Sequence, residues 1–265
     1  MHGFGANTPP LNTPVPASEQ TKFWNQCQHH SWFFLPWHRL YIFYFEQIVA
    51  QTVSQLDHKP PWWILPYWNY SDLRNPHARQ LPTAFQQRHM DDGTPNPLFV
   101  EARVLGNDGA DIPKPRDVDL QRCLARPDFV AQPGGDPGFG GQQTGFNHAG
   151  GVEGALEAGP HDAIHGDIGG PMGSFNTAAL DPIFWLHHAN IDRLWTVWLK
   201  RDPAHQNPME SGWLNEQFPF HDSAGSEVLN SASQVLDTTA APLDYQYEDE
   251  SDPLMNAPAA PGVHS

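Results

Sequence analysis

Two histidines four residues apart, His161 and His165 in EAGPHDAIHG, stand on one face of the chain if the segment is helical, close enough to hold one metal ion. Such a pair alone reads equally well as two exposed polar residues. A zinc-protease site would need Glu directly after the first histidine as general base, and Asp162 stands there instead. Two more histidines, His187 and His188, sit beside Phe184, Trp185 and Leu186 in LDPIFWLHHANIDRLW. A buried imidazole needs partners, so this apolar setting points to a metal or to a specific hydrogen bond. Three histidines from two helices would make a trigonal imidazole site, which suits copper, zinc or iron.

The stretch CQHHSWFFLPWHRLYIFYFE, residues 27–46, supplies a second set. His29 and His38 are nine residues apart with Pro36 between them, which suits two successive helical segments that converge. A third ligand would have to come from upstream of Cys27, where His2 is the only histidine. Two such sites without carboxylate ligands favour copper over magnesium, calcium or manganese. A structural zinc site fits less well, because closed zinc sites are typically Cys-rich.

The elements that must position these residues are mainly helical. A helix is expected from near Pro36 to about Gln55, ended by Lys59-Pro60-Pro61. Its LYIFYF run is apolar all round, so it should be buried rather than amphipathic. A second helix is expected over residues 180–201, with Asp181 as cap, Pro182 at the first position and Phe184, Leu194, Trp195 and Trp198 facing the core. PPWWILPYWNY and the middle of the chain, with PKPRD and QPGGDPGFGGQQTG, read as loops. The fold expected is a central helix bundle with long Pro/Gly-rich loops, forming one domain over residues 1–247. Residues 248–265 read as an acidic, Pro-rich, disordered tail.

Composition agrees with this picture and removes several functions. Pro (27) and Gly (22) are abundant, while hydrophobic residues make up 39% and charged ones 17% of the 265-residue chain, as a globular core with irregular loops requires. With 14 Lys plus Arg against 30 Asp plus Glu the net charge is −16, which argues against nucleic acid or an anionic membrane as partner. Two cysteines, Cys27 and Cys123, do not suggest a disulfide framework. No apolar run approaches the roughly 20 residues of a membrane span. The N-terminus lacks the pattern of a secretory leader, leaving a soluble protein whose compartment, cytoplasmic or secreted after processing, is open.

HHSWFFLPWHRLYIFYFE resembles the first copper-site signature of the type 3 copper family: tyrosinases, catechol oxidases (polyphenol oxidases) and, more distantly, hemocyanins. DPIFWLHHANIDRLW, joined to PHDAIH, resembles the second, and the similarity runs from about residue 2 to 247. The resemblance implies a dicopper site, with His2, His29 and His38 on one copper and His161, His165 and His188 on the other. His187 would be the adjacent, non-ligating partner. It implies a thioether between Cys27 and His29, as in fungal and molluscan members. Phe175 matches the bulky residue overhanging the second copper as a substrate gate, and Tyr245-Gln246-Tyr247 the Tyr-x-Tyr motif that closes the domain. Arg39 and Asp192 read as structural charges that pair or tie the domain's ends together.

The implied chemistry is oxidation of o-diphenols to o-quinones with two copper ions and O2, on small phenolic substrates. Hydroxylation of monophenols needs a base for the phenol proton. The family attributes that to a water held by a glutamate, here Glu157, and often by an asparagine, which Asp162 replaces. A carboxylate there could strengthen the pair's basicity or take up a proton and lose the effect. A catechol oxidase without monophenol activity and a hemocyanin-like O2 carrier are the alternatives.

Overall fold

The computed structural model describes residues 15–146 and 148–255. Its helices follow in the order α1 (Ala17–Phe23), α2 (Phe34–Asp57), α3 (Gln121–Leu124), α4 (Asp162–Ile168), α5 (Ile183–Arg201) and α6 (Ser211–Leu214). One antiparallel hairpin, β1 (Gln217–His221) with β2 (Glu227–Ser231), pairs Gln217 with Ser231 and His221 with Glu227. The fold is mainly α, as the sequence implies, and the segments between α2 and α4 are largely irregular.

Helices α2 and α5 form the centre. Their contacts run in opposite order, with Phe45 on Trp185, His38 on His188 and Arg39 on Asp192, so the helices are antiparallel. Phe45 and Trp185 stack at 3.5 Å with their planes 3° apart. The first seven residues of α2, Phe34 to Leu40, are all buried, whereas residues 41–45 alternate between half-buried and buried. Only the N-terminal third of α2 is therefore enclosed all round, and its C-terminal half borders solvent. In α5 the expected core residues Phe184, Leu194, Trp195 and Trp198 are all fully buried. Asp181 does serve the start of α5, accepting from the Ile183 N–H at 3.1 Å. Its larger load is Arg103, which donates to both of its oxygens at 2.8 and 2.6 Å with neither side chain exposed.

Two apolar clusters flank the helix pair. One gathers Trp195, Trp198, Trp213, Phe139 and Phe218 around the Phe34 end of α2. The other gathers Ile164, Ile168, Phe184, Trp68 and Tyr70. The histidines lie at the seam, since Phe34 of the first cluster touches His38 and His161 while Phe184 of the second touches His188 and His165.

A buried polar knot ties the far end of the chain to this pair. Asp192 accepts from Arg39 Nε at 2.5 Å, Tyr245 Oη at 2.5 Å and Tyr247 Oη at 2.6 Å. Arg39 also donates to the Val235 carbonyl and stands over the Trp195 ring at 3.8 Å. The segment just beyond Tyr247 continues along α5. Arg193 donates to the Asp249 carbonyl, Lys200 pairs with Glu250 and Arg201 with Asp252. Among the described residues no helix is long and apolar enough to cross a membrane.

Candidate metal centre

His38 and His188 come from the facing sides of α2 and α5, and their rings stack at 4.6 Å with planes 18° apart. His161 and His165 come from a broken segment rather than one regular helix. Residues Glu157–His161 form a wide π-type turn in which Gly159, ahead of Pro160, leaves helical geometry (φ −91°, ψ −112°), and α4 starts only at Asp162. The two rings still meet at 4.6 Å. His29 precedes α2 in extended chain, held by a parallel bridge to Ala149, and its ring lies 5.1 Å from His38 and 5.9 Å from His161.

The histidines are aimed by their outer nitrogens. Nδ1 of His38 meets the Phe34 carbonyl at 2.8 Å, Nδ1 of His165 the Met172 carbonyl at 2.7 Å, and Nδ1 of His161 the Asp162 carboxylate at 2.8 Å. Anchoring Nδ1 in this way fixes the tautomer and turns Nε2 inward. His165 Nε2 and His188 Nε2 come within 3.2 Å. One nitrogen from each of His161, His165, His187 and His188 falls within 4.8 Å of the others. Geometry thus groups His187 with the other three, its ring lying 5.5 Å from that of His161 and nearly parallel to it.

Burial sets the charge state of this cluster. His29, His38, His161, His187 and His188 are at most 3% exposed. Desolvation, followed by the neighbouring imidazoles, pushes the pKa of His38, His187 and His188 well below the ordinary histidine value, and burial also lowers His165. Neutral imidazole is the form that binds a metal. A buried, all-nitrogen set of imidazole donors fits copper.

The more exposed side of the site is formed by different chemistry. Phe175, 41% exposed, stacks on His29 at 4.3 Å and meets His148 and His30 edge-on at 6.0 and 6.4 Å, so it covers the His29 half. Glu157 is buried and accepts the His30 backbone N–H at 2.9 Å. Burial drives its carboxyl well above the usual range, with Asp162 and Glu153 adding to the rise. Asp162 is raised by burial as well, and Glu153 contacts both Asp162 and the His30 ring, the latter at 2.8 Å. His30 has a left-handed backbone (φ 53°) that turns its ring to Glu153. Cys27 is a buried free thiol, raised well above the ordinary value by desolvation, with Sγ 3.1 Å from His148 Nδ1.

Among the residues expected from sequence, His29, His38, His161, His165, His187 and His188 share one enclosure, with Glu157, Asp162 and Phe175 at its edge. His2 lies outside the described residues. Sequence reasoning passed over Glu153 and His148, which carry no motif spacing. Their one signal is chemical type, a carboxylate and an imidazole in a Gly-rich loop otherwise poor in functional groups.

The family model for the common central domain of tyrosinase matches residues 2–133 and 116–201, and that for the polyphenol oxidase middle domain matches residues 207–260. A tyrosinase from a Hahella species is 41% identical over 90% of this chain and 53% of its own length. The latent chloroplastic polyphenol oxidase of Prunus armeniaca is 28% identical over 88% of the chain and 40% of its own length. The structure of latent apple tyrosinase superposes with a TM-score of 0.65 at 25% identity, covering 85% of this chain and 50% of the other. The chain therefore spans about half the length of the curated relatives it matches.

Proposed function

The chain belongs to the tyrosinase family, which is copper-dependent, and from that premise we propose that it oxidises o-diphenols to o-quinones with O2 at a pair of copper ions. The observation that carries this reading is the buried cluster of imidazoles, with His165 and His188 Nε2 converging at 3.2 Å. His2, His29 and His38 are the ligands assigned to one copper, and His161, His165 and His188 to the other. His187 is the neighbour that packs against His161. The unit assigned to the activity is residues 1–247, and residues 249–252 beyond it bond along α5.

Bound copper supplies a two-electron couple and an open position for O2, so that two catechols reduce one O2 to two waters. The protein's part is positional. The carbonyls of Phe34 and Met172 and the Asp162 carboxylate keep the rings of His38, His165 and His161 turned inward. Phe175 covers the His29 ring and limits how a phenol enters beside it. Joining Cys27 Sγ to a His29 ring carbon would remove S–H and C–H hydrogens and pass two electrons to O2, fixing that ring covalently.

Monophenol hydroxylation is the finer part of the proposal. A buried carboxyl with a raised pKa suits a base that must hold and then release a proton near neutral pH. Glu157 has that character and Asp162 adds to it. The experiment is metal analysis of the purified chain together with O2 uptake on 4-methylcatechol and on tyramine. Two copper per chain with catechol oxidation is expected. A single zinc per chain, or copper with reversible O2 binding and no turnover of either phenol, overturns the reading.

A further inference from the structure

His148 stands in the loop GFNHAGG, outside every motif that carried the functional reading. Its ring Nδ1 lies 2.9 Å from the Cys27 carbonyl oxygen and 3.1 Å from Cys27 Sγ. Its own carbonyl accepts the His29 N–H at 3.2 Å, and the next residue, Ala149, forms the parallel bridge with His29. The segment Cys27-Gln28-His29 is thus gripped at both ends by one loop residue, by ring at the front and by backbone at the back. The same imidazole stands edge-on to the His29 ring at 6.4 Å and to Phe175 at 6.0 Å.

The tautomer follows from these contacts. A carbonyl can only accept, so Nδ1 carries the proton and donates it to Cys27, as Nδ1 of His38 and His165 donate to their own carbonyls. The ring distances separate the roles. His38 is 5.1 Å from His29, whereas His148 is farther out at 6.4 Å and flanks the pair. Without the His148 donor, the Cys27 carbonyl would lose a hydrogen bond at a residue that is fully buried. The segment leading into His29 would then lose a contact that fixes its entry to the site.

We propose that His148 is a positioning residue for the first copper half-site, holding Cys27 and His29 in place beside His38 through its Nδ1–H. The proposal rests on the dicopper reading above. Its action is on metal affinity through His29, by the logic that groups orienting a ligand matter nearly as much as the ligand.

The test compares wild type, H148A, H148N and H148Q as copper-loaded proteins, titrated with a copper(I) chelator of known affinity while bound copper per chain is counted. Asparagine keeps an amide N–H near the place of Nδ1–H, and glutamine moves it outward. One of the two coppers is expected to loosen about 10- to 100-fold in H148A and H148Q, with H148N within about threefold of wild type. The second copper keeps its affinity in all four proteins. Equal affinities in H148N and H148Q, or equal weakening of both coppers, overturns the proposal, and this pair decides the matter even if H148A fails to fold. A wild type that does not hold two coppers overturns the dicopper reading instead.

Discussion

His38 and His188 stack face to face at 4.6 Å across the antiparallel helices α2 and α5, and the next residue of α2, Arg39, binds Asp192 one turn further along α5. The pair of candidate ligands is therefore held by an ion pair one residue away on one helix and four away on the other. Removing Asp192 leaves Arg39 as an uncompensated charge with no exposed side-chain surface. Asp192→Ala should destabilise the fold by about 3–5 kcal/mol in denaturant titration. A loss within experimental error would show that the knot is dispensable.

Acid should destabilise the metal-free protein in a defined window. His38, His165, His187 and His188 have folded pKa values below the ordinary 6.5, so the unfolded chain binds more protons and stability falls as pH drops below about 6.5. Each such histidine contributes up to about 1.4 kcal/mol per pH unit. Glu157, raised above its ordinary 4.5, acts oppositely: its contribution is complete below that value and lost as pH rises through its folded pKa. Glu157→Gln should thus steepen the acid loss between about pH 4.5 and 6.5. Denaturant melts at a series of pH values check both slopes, and a flat profile down to about pH 5 would contradict the sign.

Asp162→Asn tests the proton-handling edge of the site. An amide can still meet His161 Nδ1 through its oxygen, but the charge beside Glu157 is gone. The monophenol-to-diphenol rate ratio should change by about tenfold or more, because general-base contributions are of order 10² or above. An unchanged ratio would remove Asp162 from that role.

Phe175→Ala uncovers the His29 ring, which Phe175 now stacks upon at 4.3 Å. The expected outcome is a lower KM for catechols with bulky ring substituents and little change for unsubstituted catechol. Equal effects on both classes would mean the ring is packing and not a gate.

If Cys27 and His29 are joined, the copper-loaded chain should weigh two hydrogens less than its sequence and expose a single titratable thiol, Cys123, when denatured. Peptide mapping locates the link. Two free thiols would set this part of the proposal aside.

Much of the site is legible in the sequence because its logic is local. The His161/His165 spacing of four and the His187-His188 pair in an apolar run put chemical type and helical periodicity on the page together. What the sequence hid came from irregular backbone. Gly159-Pro160 breaks the segment that a pure i, i+4 reading takes as one helix, yet the two rings still meet at 4.6 Å. The left-handed His30 that sends its ring to Glu153, and the loop that brings His148 to Cys27, depend on contacts more than 120 residues apart. Helix α2 is less enclosed than its apolar sequence implies, for a related reason. LYIFYF is apolar all round, but residues 41, 43 and 45 stay half-buried, Tyr41 and Phe45 resting on the half-buried ring of Trp185.

The Asp192 knot also sets an order of events. One carboxylate takes Arg39 from 153 positions upstream and two tyrosine hydroxyls from downstream, Tyr247 being 55 positions beyond Asp192. A ribosome making this chain produces His29, His38, His161, His165 and His188 well before the knot can be tied. The Asp192 carboxylate can therefore fill all three of these bonds only after every one of those histidines has been made.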